Sequence, residues 1–343
     1  MADFNLLISE TADSKWDEFR ISHQGLIFSS TRWGQVLKDG LGARALYLWL
    51  EDSTGNRLAQ MLAAVITVGP FRICYCSIPY GGIDGASDLS GVFVGKALEA
   101  LRELGVDQMR LLDSPVWQCT RLGVGKKIAT VSYIAGLEDL TKEMLWAGYR
   151  KGIRQRIRVS RRAGVEVHAV HDRKRIPEIY SLYLASLARN RAASKYPLSW
   201  FLALYDLIVT SGHGDILAAF HNGTPVAMIV VVYSPPYAHY LHGGSHTQAL
   251  KLCPNDALFH SALELSIERG IKKFDFLSTA VKDTELRRFK EKWGGTPIYL
   301  NTHVIDVRLL RSKLISSGLK LMNSPLGRII ADKFRHITQG YRR

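Results

Sequence analysis

The sequence predicts an α+β protein in which one mixed-sheet unit is built twice, and three observations carry that prediction. The first is length, since 343 residues are enough for about two domains that each bury a core. The second is an internal repeat: segment 96–106 lies over segment 261–271 without a gap, so that Ala97, Leu98, Glu99, Glu103 and Gly105 match Ala262, Leu263, Glu264, Glu268 and Gly270. The third is the order of patterns around that repeat. In both copies a helix with an apolar stripe stops at a glycine, and a run that alternates like a strand follows it.

The elements follow in chain order. In the first copy Gly55 and Leu58-Ala59 open a strand through the apolar stretch 62–68, Tyr75 lies on the next strand, and Met109 and Leu112 mark the strand after the helix. The same offset pairs Tyr75 with Tyr240, Met109 with Phe274 and Leu112 with Leu277. Segment 115–141 reads as the crossover between halves. Beyond it come a basic helix at 150–162 and helices at 176–189 and 199–211. The second copy then places strands at 215–220, 225–233 and 238–242, with Asn222-Gly223 as a hairpin turn. A helix at 256–269 and a strand at 272–277 complete it. This divides the chain into a first domain at 1–140, a second at 141–307 and a basic helical tail at 308–343. The tail carries nine Lys or Arg against the single acid Asp332, interleaved with leucines, and reads either as a helix docked on the fold or as one lying on an anionic membrane.

Charge and cysteine usage narrow the function classes. Lys plus Arg number 45 and Asp plus Glu 31, leaving a net charge of +14, so a polyanionic partner is expected. No apolar run reaches the roughly 20 residues of a spanning helix. Cys74, Cys76, Cys119 and Cys253 show no CxxC spacing and read as buried thiols; with no secretory leader visible, a cytoplasmic protein is expected, at most peripheral to the inner membrane face.

Four motifs resemble the FemABX-like peptidyltransferases, a family built from two GNAT-type acyltransferase domains. They are Arg154-x-x-Ile157-Arg158-x-Ser160-x-x-x-Gly164-Val165, the run from Tyr240 through Pro254 to Lys273-Phe-Asp275-Phe, Leu286-x-x-Phe289-Lys290-x-x-Trp293-Gly294, and Ile78-Pro79-Tyr80-Gly81-Gly82. Ser160 departs from the pattern, which more often has Ala. The resemblance implies tandem GNAT-like domains with the active cleft in the second. It also implies transfer of an aminoacyl group from aminoacyl-tRNA to an amine of a peptidoglycan precursor. The implied site residues are Lys290, Asp275 and Tyr240 as catalytic groups and Arg154, Arg158, Phe289 and Trp293 as substrate-binding groups.

The residues have their own chemical reading. Arg154, Arg158, Arg161 and Arg162 share a helical face with no acid at i+4, a face that repels itself unless it holds phosphate or lies in solvent. Lys290 sits between Phe289 and the Trp293-Gly294 turn, so its stem packs and its ammonium is aimed, which suits an oxyanion or a phosphate. Asp275 alternates with Phe274 and Phe276 and points away from them, either to orient an attacking amine or to pair with an arginine. Tyr240 reads as a donor in the splayed sheet centre or, through its partner Tyr75, as a core residue. The series His239, His242, His246 has strand spacing that puts its first two members on opposite faces, so no metal is expected and no cofactor beyond the acyl donor. For the donor, segment 242–256 lacks the glycine spacing of a coenzyme A diphosphate loop, the Tyr80-Gly81-Gly82-Ile83-Asp84-Gly85 turn puts an acid where a phosphate would lie, and 121–126 is one residue short. An acyl-CoA or acyl-carrier donor stays open beside aminoacyl-tRNA, as does a non-catalytic basic platform for RNA or a cell-wall precursor.

Overall fold

The computed structural model describes residues 4–119, 124–194 and 196–322. The first half runs β1 (Asn5–Ser9), α1 (Trp16–Ser22), α2 (Thr31–Leu41), β2 (Arg44–Glu51), β3 (Arg57–Val68), β4 (Phe71–Tyr75), β5 (Asp84–Gly85), α3 (Ser90–Glu103) and β6 (Gln108–Leu112). The middle holds β7 (Lys126–Gly136), α4 (Lys142–Gly148), α5 (Lys151–Arg162), β8 (Val165–Ala169), α6 (Ile176–Arg189) and α7 (Leu198–Leu204), which continues into a π-helical turn at Tyr205–Val209. The rest is β9 (Gly214–His221), β10 (Thr224–Ser234), β11 (Tyr237–Ser245), α8 (Pro254–Glu268), β12 (Lys273–Asp275), β13 (Thr279–Ala280), α9 (Thr284–Lys292), β14 (Thr296–Asp306) and α10 (Leu309–Met322).

Local chemistry sets the ends of these elements. Ser30 accepts from Trp33 N at 3.0 Å and starts α2, and Gly42 at φ +63 ends it. Asn222 and Gly223, both at positive φ, close the β9–β10 hairpin, a backbone twist that matches the strands it joins. Asp283 caps α9 through Leu286 N.

The strands form one sheet in the order β1-β2-β3-β4-β6-β14-β7-β12-β11-β10-β9-β8, with β5 against β3 and β13 against β7. Its two outer parts repeat the predicted unit: β4 runs parallel to β6 and β11 parallel to β12, each pair bridged by a helix, α3 or α8. Between them the chain exchanges strands. β7 precedes the second unit and pairs with its β12, whereas β14 follows that unit and pairs with β6 of the first. The two then pair with each other from Lys126 to Ile134, which fuses both halves into one sheet. Segment 115–141, read from sequence as a crossover, thus contains a central strand.

The register corrects one predicted match. Cys74 lies opposite Met109 and Ala238 opposite Phe274, so the partner of Tyr75 in the second copy is His239 and not Tyr240. The cause is a bulge in β11, where Val230 faces His242 and Val231 faces Tyr240, leaving Leu241 as the extra residue. Three cores flank the sheet. One face carries α3 over the first unit and α4, α5 and α8 over the second, with Phe259, Phe274, Phe276 and Trp293 in the second core. On the opposite face α2, α6 and α7 from both halves share a core around Trp33, Trp200 and Phe201. The described part of the 308–343 tail is α10; residues 323–343 lie outside the described residues, as do 121–123 of the glycine-containing 121–126 segment.

Candidate active site

The polar centre of the molecule sits on the shared face, where β7, β11 and β12 are adjacent. Because Phe274 and Phe276 point into the α8 core, Asp275 points the other way, and it is wholly buried. Its carboxylate is met by Ser132 Oγ at 2.6 Å, by Leu277 N at 2.9 Å and by His239 Nδ1 at 2.9 Å. Tyr80 Oη lies 2.9 Å from Ser132 Oγ and 3.3 Å from Asp275 Oδ1. Burial, and then the charge of Asp275, push the Tyr80 phenol well above its ordinary value, so it acts as a neutral donor. With His239 Nδ1 donating to the carboxylate, its Nε2 is buried without a partner.

Lys290 closes this network from the other side. It is 2% exposed, and its Nζ donates to Leu277 O at 2.6 Å, so Leu277 is gripped through both its N–H and its carbonyl. That grip holds Leu277 at φ +57, a left-handed conformation that a non-glycine residue rarely adopts without such support. Burial lowers the Lys290 ammonium to about 8, while Asp275 and Asp283 pull it back up. Tyr80, Ser132, Asp275, Leu277 and Lys290 therefore form one continuous hydrogen-bonded chain.

Tyr80 also walls a small cavity with Phe28, Ser77, Gly81, Gly82, Asp84 and Trp117. Two polar atoms on its lining, Asp84 Oδ2 and Trp117 Nε1, are buried and have no protein partner. Burial pushes the Asp84 carboxyl up to about 6, against hydrogen bonds from Ser29 and Gln60 and the nearby charges of Arg20 and His23. The backbone permits this crowding only through glycine. A Cβ on Gly25 would stand 2.3 Å from Asp84 Oδ1, and one on Gly82 would press on the Trp117 ring at 3.1 Å.

The other predicted residues lie elsewhere. Tyr240 faces the α8 core against Phe259, 4.8 Å between ring centroids, on the side of the sheet opposite Asp275. Phe289 and Trp293 pack on the same Phe259 at 5.0 and 5.5 Å, so both belong to the wall behind Lys290. On α5, Arg154 donates to Ala147 O at 3.0 Å, and Arg158 lies over the Trp146 ring at 5.7 Å. Arg161 covers the same ring and reaches His260 Nε2 at 3.0 Å; burial, with Arg161, lowers that imidazole to about 4, so it accepts as a neutral ring. Arg156 pairs with Asp256 at 2.8 Å, and Lys292 pairs with the same carboxylate. Among the described residues Arg150, Lys151, Arg158 and Arg162 are exposed and meet no acid.

Sequence reasoning missed Ser132 and considered His239 only as a metal ligand. Asp84 it considered only as an acid opposing phosphate. The usable signal for Asp84 was the glycine on either side of it in Gly82-Ile83-Asp84-Gly85, a sign of backbone closing tightly on a side chain.

Comparison with known proteins agrees with this architecture. A family model described as acetyltransferase (GNAT) domain matches residues 147–291. No curated protein matches the sequence. Among solved structures, FemX superposes with a TM-score of 0.65 at 14% identity, over 86% of this chain and 96% of that one. L-PGS from Bacillus licheniformis gives 0.59 at 17%, over 90% and 97%. A tandem GNAT protein from the clavulanic acid biosynthesis pathway gives 0.58 at 12%, over 89% and 99%. Residues 147–291 are thus similar to a GNAT acetyltransferase domain, and the chain as a whole shares its fold with FemX and with the tandem GNAT protein.

Proposed function

We propose that this protein is an aminoacyltransferase that moves an aminoacyl group from aminoacyl-tRNA onto an amine of an anionic, diphosphate-containing acceptor of the peptidoglycan-precursor class. The observation that carries the reading is a pair of buried titratable groups: Asp84, which shares a cavity wall with Tyr80, and Lys290, at the far end of the hydrogen-bonded chain that runs from Tyr80 through Ser132, Asp275 and Leu277. Acyl transfer to an amine needs both. The amine nitrogen attacks the ester carbonyl, a C–N bond forms, and the proton it sheds goes to a carboxylate of raised basicity, the role given to Asp84. The carbonyl oxygen becomes an oxyanion, which donors held in a dry site stabilise strongly; the role given to Lys290 is to hold the Leu277–Asp275–Ser132–Tyr80 chain that ends at the cavity wall. Collapse breaks the C–O bond to the ribose, whose oxygen leaves with the proton that Asp84 took up, and the carboxylate is restored.

The donor assignment is supported at the start of α8, where a coenzyme A diphosphate would meet a helix N-terminus. There the chain's own Asp256 occupies the first turn and engages Arg156 and Lys292. A diphosphate would have to displace that carboxylate. The exposed cations of α5, Arg158 foremost, suit the longer phosphate backbone of tRNA or the acceptor's diphosphate. FemX and L-PGS are neighbours in fold, in keeping with aminoacyl transfer generally.

The test is transfer of a radiolabelled amino acid from charged tRNA to a diphosphate-linked muropeptide, with acetyl-CoA as the competing donor. Transfer from tRNA, lost in Lys290→Met while tRNA still binds, supports the reading. Turnover with acetyl-CoA alone removes the donor assignment, and binding of tRNA unaccompanied by transfer reduces the protein to a platform.

A further inference from the structure

The start of α10 carries a surface that acyl transfer does not use. Leu309, Leu310 and Leu314 are 56%, 79% and 61% exposed, while Ser312 and Ile315 on the inner side of the helix are buried. Helical spacing lines up Leu310, Lys313, Leu314 and Ser317 on one outward stripe, with Leu309 at its border. The neighbouring β3–β4 hairpin, joined to α10 by Arg311 through Pro70 O, presents Val68 at 55% exposure.

Cations surround this stripe. Arg311 Nε meets Asp107 at 2.6 Å with its guanidinium 5.2 Å from the Phe71 ring centroid, and Arg308 stands 3.8 Å from the same carboxylate. Arg72 donates to Leu104 O at 3.1 Å and Arg102 to Val307 O at 3.4 Å. Arg72 and Arg308 come together over Gly105, where a Cβ would stand 2.8 Å from one and 3.4 Å from the other. Lys126 and Lys127, exposed at the start of β7, pair with Val304 and His303 of the strand that leads into α10. The acids in this region are Asp107, Asp306 and Glu103, and Asp107 is wholly buried beneath the arginines. The sequence after α10 keeps the same composition, with Arg328, Lys333, Arg335, Arg342 and Arg343 against Asp332, among Leu326, Ile329, Ile330, Phe334 and Ile337.

We propose that this face docks on an anionic lipid bilayer, with Leu310 and Leu314 seated at the headgroup–acyl boundary and the surrounding arginines and lysines on the lipid phosphates. Charge complementarity selects the occupant. A second copy would bring cations against cations, and RNA is gripped by cations with stacking aromatics, whereas the groups exposed here are aliphatic.

Sedimentation of the full chain with vesicles tests this. Binding is expected to phosphatidylcholine vesicles containing roughly one-third phosphatidylglycerol, to be absent with phosphatidylcholine alone, and to weaken as salt rises. Leu310→Ser with Leu314→Ser should lower partitioning by roughly tenfold or more at an unchanged melting temperature, because both side chains already face solvent. Lys313→Glu should weaken binding and flatten its salt dependence. Undiminished binding of the double leucine variant, or no binding to the anionic vesicles, overturns the proposal. So does a doubled mass in solution that the leucine variant abolishes, or saturation of this face by tRNA to the exclusion of vesicles.

Discussion

Lys290 is a cation kept where water cannot solvate it, and two measurements read that condition separately. Replacing it with Met should cost about 100-fold or more in kcat with KM changed little, the pattern of an interaction made in the transition state. The same variant should also melt lower than the parent, because Leu277 O and the Asp275 carboxylate stay buried while the ammonium that meets them is gone. The pH profile supplies the second reading. Turnover needs Asp84 ionised and Lys290 charged, so kcat should be bell-shaped, with an acid limb near the Asp84 value of about 6 and a basic limb near the Lys290 value of about 8. Asp84→Asn should abolish the acid limb along with most activity. Stability should move with the opposite signs. The raised Asp84 carboxyl favours the folded state at low pH, and this contribution is lost as pH rises from about 4 through 6. The depressed Lys290 favours it above about 10.5 and loses that contribution as pH falls through 8. A stability–pH curve for each variant separates these from the kinetic limbs.

At the scale of the element, α5 and β11 mark what local sequence can and cannot say. The arginine face of α5 is legible because helical spacing fixes it, but which arginines are free depends on partners about 100 residues away. Arg156 belongs to Asp256 and Arg161 to His260, while Arg158 rests on Trp146 and faces solvent. Arg158→Ala should therefore weaken tRNA or diphosphate binding, reduce its salt slope and leave the melting temperature unchanged. Arg156→Ala should lower stability by about 1 kcal/mol, since buried Asp256 keeps only Lys292, and should affect binding less; titrations at two salt concentrations beside thermal melts distinguish the two. Asp275 and Lys290 were readable for a related reason: the flanking Phe274 and Phe276 declare which way Asp275 points, and the i+3 spacing from Lys290 to Trp293 declares a packed turn. The facing of His242 was not, because one inserted residue, Leu241, turns it to the same side of the sheet as His239, and a bulge leaves no composition signal.

At the scale of the whole molecule, what the repeat concealed was its own join. Strands β7 and β14 are separated by some 160 residues of chain, and neither carries a local pattern naming the other as its partner. Their exchange changes what counts as a separable piece. Glu138 and Asp139 form an exposed link between buried Leu137 and half-buried Leu140, and cutting it leaves β7 on one fragment and β12 and β14 on the other. Limited proteolysis there should yield two fragments that co-elute on gel filtration and melt in a single transition, whereas two independent domains would separate. Expressed alone, a fragment beginning at residue 141 would display the naked edges of β12 and β14 and should aggregate. Recombination that shuffles such enzymes as cassettes would fail at this junction, and the two halves can be inherited or exchanged only together.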